Sequence, residues 1–121
     1  MPARIGNVAF DCDDVLRVAT FWSTALGRPV DDGSSELFAS IGGGDADRAE
    51  PALYFNKVPE TKQAKNRVHL DLVDADPEAV DKLVGIGATV VGRHQIAGQR
   101  WTVMHDVEGN EFCVATKSYT G

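Results

Sequence analysis

Two stretches of the chain, Asn7-Val8-Ala9-Phe10-Asp11-Cys12-Asp13-Asp14 and His69-Leu70-Asp71-Leu72-Val73-Asp74-Ala75-Asp76, read alike. Each opens on a polar residue, alternates, and closes on an aspartate seven positions later. Val8, Phe10 and Cys12 share one parity, with Asn7, Ala9 and Asp11 on the other. Val68, Leu70 and Leu72 alternate in the same way with His69, Asp71 and Val73. A period of two predicts a half-buried strand in each place.

Both stretches lead into a helical pattern. Asp13-Asp14 reads as an N-cap, and Val15, Val18, Ala19, Trp22 and Leu26 follow on one helical stripe. Gly27 stands where a left-handed C-terminal residue is commonest. In the second half, Asp76-Pro77-Glu78 supplies a cap, a first-turn proline and an acid, and Val80, Leu83 and Val84 form the apolar face. Gly85 and Gly87 close it. Strands are expected over 36–41 and 52–56, then over 88–93, 100–105 and 111–116, with Val107-Glu108-Gly109-Asn110 as the last turn. Gly42-Gly43-Gly44 and the polar run 45–50 separate the first two of these. Lys57 to Asn66, with Pro59, reads as a surface linker.

The pattern strand, helix, strand, strand, strand therefore occurs twice. The expectation is one α+β domain over 1–121, made of two tandem βαβββ modules. Module one spans about 1–58, the linker about 59–66 and module two about 67–121. Each helix should cover the sheet face carrying Val8, Phe10 and Cys12, or Val68, Leu70 and Leu72. The opposite faces are left to line a cleft.

Composition narrows the function. The chain has 121 residues, 43% apolar, with a formal net charge of −6, which argues against a phosphate-tracking nucleic-acid binder. Two cysteines cannot form a disulfide framework. No apolar run reaches the length of a membrane span, and the N-terminal residues lack a signal-peptide core. A cytoplasmic protein is expected.

The paired repeat, Phe21-Trp22 with Leu26-Gly27, Val68-His69-Leu70-Asp71-Leu72, and His105-Asp106-Val107-Glu108-Gly109-Asn110-Glu111-Phe112 carry a resemblance. The chain resembles the glyoxalase / bleomycin-resistance / extradiol-dioxygenase superfamily, the vicinal oxygen chelate proteins. The stretch from Val58 to Asp71 is similar to a glyoxalase-like subgroup whose members mostly lack an assigned activity. The resemblance implies a U-shaped cleft between curved sheets and a homodimer. It also implies a divalent ion held by residues of the first and last strand of each module. Carried over residue by residue, those positions fall on Asn7, His69 and Cys113, which is Gly109 plus four, with the last one near Phe55. An amide, a thiol and a phenyl ring are poor partners for an ion that wants three or four imidazole or carboxylate donors. The expectation is accordingly no metal and no cofactor, with a divalent metal ion as the alternative.

Parity places Asp11, His69, Asp71, Glu111 and Cys113 on the cleft faces. They read as an acidic ligand-binding wall, or as a displaced metal site of His69, Asp71 and Glu111, or as a solvated sheet face. Tyr54 and Trp101 are candidates to stack on a planar ligand, and Phe55 to floor the pocket. Cys113 as a nucleophile and a His105–Asp106 dyad are weaker readings than a structural thiol and a turn histidine. His94 carries no distinguishing signal. The glycine run lacks the lysine and helix of a phosphate-binding loop. Lys57, Lys62, Lys65 and Arg67 read as solvated linker. The expected function is binding of an amphipathic small molecule without the usual metal centre. The alternative is a metal-dependent lyase, isomerase or dioxygenase.

Overall fold

The computed structural model describes residues 2–44 and 50–116. The polar run 45–50 lies outside that range except for Glu50. The chain divides into two compact units, Met1–Thr61 and Lys62–Gly121.

In the first unit, β1 (Asn7–Cys12) is followed by α1 (Val15–Leu26), β2 (Phe38–Ile41) and β3 (Ala52–Lys57). The sheet order is β1-β3-β2, with β1 and β3 parallel and β2 and β3 antiparallel. Among its described residues the first module has three strands where four were expected. A single antiparallel bridge, Val30 to Ile41, stands at the edge position of the fourth. Arg28-Pro29 before it and Gly33 after it leave no run that could extend the ladder.

α1 begins and ends as its sequence dictates. The Asp14 carboxylate accepts from the Arg17 amide at 3.2 Å, and Gly27 takes φ 65°, where a side chain would be strained. Val15, Val18, Ala19 and Trp22 are buried, as is Phe21, which the stripe had omitted. The Phe10 ring lies 5.5 Å from Trp22 and 5.2 Å from Phe55. Cys12, Ala39 and Ile41 complete this core.

In the second unit, β4 (Leu70–Ala75), α2 (Ala79–Gly85), β5 (Thr89–Ile96), β6 (Gln99–His105) and β7 (Glu111–Thr116) give the sheet β4-β7-β6-β5. Again the first and last strands are parallel neighbours. Val68 and His69 precede the strand instead of opening it, and Val68 is exposed. α2 starts at Ala79, later than the cap signal predicts. Asp76 instead closes a turn through its carbonyl, which accepts from the Ala79 amide at 2.9 Å. Leu83 is the one buried residue of α2, and Ala88, Met104, Phe112 and Val114 are the other buried apolar residues of this unit. Gly87 has φ 115°, and a Cβ there would meet Val107 Cγ1 at 2.7 Å, so only glycine fits. Among the described residues no helix is long and apolar enough to cross a membrane.

Phe55 is the main correction to the sequence reading. It is wholly buried against Phe10 on the helix-covered face, so it does not floor an open face. The expected assignment was off by one residue, and a one-residue slip in a strand exchanges its faces. Phe55→Ala should therefore act as a core truncation, lowering stability by about 3–5 kcal/mol, as read by urea unfolding.

Candidate functional site

Pairing register decides which side chains share a face. In the second unit Leu70 lies opposite Phe112, Asp71 opposite Cys113 and Leu72 opposite Val114. Phe112 and Val114 are buried, so Asp71 and Cys113 project from the other face, together with Val103, the cross-strand partner of Cys113. Asp71 is two residues beyond His69, and the two meet, with His69 Nε2 3.2 Å from an Asp71 carboxylate oxygen. The Cys113 sulfur completes a group whose three donor atoms all lie within 4.8 Å of one another. His69 and Asp71 are exposed and Cys113 is half-buried.

Burial raises the Cys113 thiol above its ordinary pKa, and the negative charge and hydrogen bond of Asp71 push the same way against Lys65. A thiol so placed stays protonated and is a poor nucleophile.

Glu111 shares the face but has another role. Its carboxylate accepts from Lys62 Nζ at 3.0 Å and from the Asn66 amide at 2.9 Å, and its side chain is only 10% exposed. Burial alone would raise this carboxyl, yet the Asn66 amide and the Lys62 ammonium outweigh it and hold the pKa at about 2. His105 Nε2 stands 3.8 Å away. Asn66 also donates from its side chain to Asn110 Oδ1 at 3.1 Å. The segment 62–66, expected as a solvated linker, is thus tied to the start of β7. The displaced trio of His69, Asp71 and Glu111 is not what the fold assembles; Cys113 stands where Glu111 was expected. Local sequence holds no signal for the Lys62 and Asn66 contacts, because their partner lies 45 or more residues away.

The remaining candidates separate cleanly. Asp106 is buried and accepts from the amides of Glu108 and Asn110 at 2.9 and 3.0 Å and from the Asn110 side chain. It anchors the β6–β7 turn. Trp101 lies on the same face as Val103 and stacks on His94 at 5.4 Å and 20°. In the first unit Asp11 is exposed and Tyr54 is half-buried, with its ring edge-on to Phe38 at 5.3 Å. The amides of Gly42 and Gly43 are engaged by Asp31, at 3.3 and 2.8 Å, and the Ser40 hydroxyl donates to the same carboxylate at 2.7 Å. Burial raises the Asp31 carboxyl; these donors and Arg28 outweigh it and lower its pKa. An internal carboxylate therefore occupies the place that an anion would take.

The register also corrects the module correspondence. Val8 pairs with Leu53 as Leu70 pairs with Phe112, so the counterpart of Cys113 is Tyr54, not Phe55. The four positions expected for the superfamily's ion thus carry an amide, a phenol, an imidazole and a thiol (Asn7, Tyr54, His69, Cys113). With no carboxylate and one imidazole, this set does not fit a hard or borderline ion held by imidazole and carboxylate donors.

A sequence profile described as a glyoxalase-like domain matches residues 7–115, and the chain belongs to that family. Solved structures share the fold. A glyoxalase/bleomycin resistance protein/dioxygenase family enzyme from Burkholderia phytofirmans PsJN is 22% identical, with TM-score 0.70, covering 94% of this chain and 98% of its own. A lactoylglutathione lyase from Agrobacterium tumefaciens is 16% identical, with TM-score 0.62 and coverage of 99% and 98%. The fosfomycin resistance protein FosX from Mesorhizobium loti is 13% identical, with TM-score 0.68 and coverage of 99% and 97%. No curated protein matches the chain by sequence. The resemblance is confirmed for the glyoxalase-like family and for the fold.

The Glu111 carboxylate yields a test. A carboxyl depressed in the folded state stabilises above its unfolded pKa, near 4.5, and that contribution disappears as pH falls towards 2. Glu111→Gln should cost about 1–2 kcal/mol at pH 7, and the gap from the parent should close below pH 4 in urea unfolding.

Proposed function

We propose that this chain is a small-molecule-binding glyoxalase-like protein that works without the superfamily's usual imidazole-and-carboxylate metal centre. The observation that carries this reading is the donor set at the four corresponding positions, Asn7, Tyr54, His69 and Cys113. Glu111, the carboxylate nearest to the last of them in sequence, is engaged by Lys62 and Asn66.

The open face of the second sheet supports a ligand with two parts. Asp71 and His69 offer a carboxylate and an imidazole to a cationic or hydrogen-bonding group. Trp101, already stacked on His94, offers an aromatic surface to a planar one. Tyr54 and Asp11 are the corresponding candidates in the first unit. Phe55 is withdrawn from the ligand set, because it is buried in the core. Glu111 serves as a positioning group for the 62–66 segment. The net charge of −6 favours cationic ligands through long-range attraction. Association of two copies belongs to the same reading, and the exposed Val73, Val91 and Ile96 support it.

A thermal-shift screen of planar organic cations tests the proposal. A ligand at a hundred times its Kd stabilises by about 2.7 kcal/mol. A compound should raise the Tm of the parent, and its effect should shrink in Asp71→Asn and in Trp101→Ala. Absence of any shift across the panel, or a shift unchanged in both variants, would overturn it.

A further inference from the structure

We propose that His69, Asp71 and Cys113 form a binding site for a thiophilic divalent cation of the zinc class, built by the second unit alone. The site goes beyond the reading above, and rests on it only in that the four-position donor set does not suit the superfamily's ion.

The geometry comes from strand register. His69 and Asp71 stand two residues apart, and Cys113 lies directly across from Asp71 on a parallel neighbour. In-register pairing brings Asp71 and Cys113 together on one face, and His69, just before the strand, joins them through its contact with Asp71. Around a tetrahedral zinc ion, imidazole, carboxylate and thiolate donors sit about 3.3–3.6 Å apart. His69 Nε2 and the Asp71 oxygen are already 3.2 Å apart, and all three donor atoms lie within 4.8 Å.

Chemistry selects the ion. A sulfur donor disfavours magnesium, calcium and manganese, and the combination of sulfur, nitrogen and oxygen suits zinc. Carboxylate and thiolate together balance the two positive charges. As the sulfur–metal bond forms, the Cys113 proton leaves to solvent, and no oxidant or reductant is needed. His69 and Asp71 are exposed, so an ion held there would be within reach of water or a ligand atom.

The test uses the full chain, without an affinity tag or chelator, titrated with Co²⁺ as a spectroscopic probe and then with Zn²⁺. One equivalent of Co²⁺ should bind with a near-ultraviolet thiolate charge-transfer band, and Zn²⁺ should displace it. Cys113→Ser should abolish the band and weaken Zn²⁺ binding by at least about 100-fold, more than loss of an outer-shell partner costs. His69→Ala and Asp71→Asn should each weaken it too, and Cys12→Ser should leave the band intact. Circular dichroism checks folding; if Cys113→Ser does not fold, the two exposed positions decide. No binding of either ion, or a band that survives in folded Cys113→Ser, overturns the site and leaves the ligand reading standing. Tight Mn²⁺ or Mg²⁺ binding indifferent to Cys113 overturns both.

Discussion

Everything that positions side chains in this protein depends on one constraint: in each unit the first and last strands lie side by side and parallel. Parallel neighbours cannot be joined by a tight turn, so the chain must leave the sheet, cross one face and return. α1 and α2 are those crossings. The face each helix covers becomes the core, with Phe10 and Phe55 in one unit and Phe112 and Val114 in the other. The face left uncovered takes the alternate residues, among them Tyr54, Asp71 and Cys113. Core and candidate site are two readings of one register, and neither can be shifted by a residue without exchanging them.

The same register separates two carboxylates that look equivalent in the sequence. Asp71 and Glu111 both project from the uncovered face of the second sheet. Asp71 is exposed and meets an imidazole and a thiol. Glu111 is nearly buried and is matched by a cation and a backbone amide from the segment before β4. Its charge is spent inside the fold, holding 62–66 against β7. Asp106 and Asp31 follow the second pattern, each satisfying amides of a glycine-containing turn. Among the described residues, Asp31, Asp106 and Glu111 thus serve as turn and segment anchors, while most of the other acidic residues, Asp71 among them, are exposed.

The first unit shows where repetition stops. Its strand ladder ends in a single bridge at Val30, whereas the second unit carries the full eight-residue β5. Pro29 and Gly33 bracket the bridge and stop it growing. The two units are the same topological unit at different degrees of completeness. The richer donor set belongs to the complete one.

Residue order alone determined the repeated module, both helices, the α1 caps and the alternation that separates one strand face from the other. These are local properties: a period of two or 3.6, a capping aspartate, a glycine at positive φ. Family membership was legible for the same reason, since the repeat and the Asp106–Phe112 turn are contiguous. Alternation marks two faces in every strand but says nothing of which residue lies opposite which. Pairing across 40 residues or more settled that, placing Phe55 in the core and Tyr54 in correspondence with Cys113. Only the tertiary structure decided that Cys113 joins His69 and Asp71, and that Glu111 answers to Lys62 and Asn66, because those neighbours are made by strand register and loop closure.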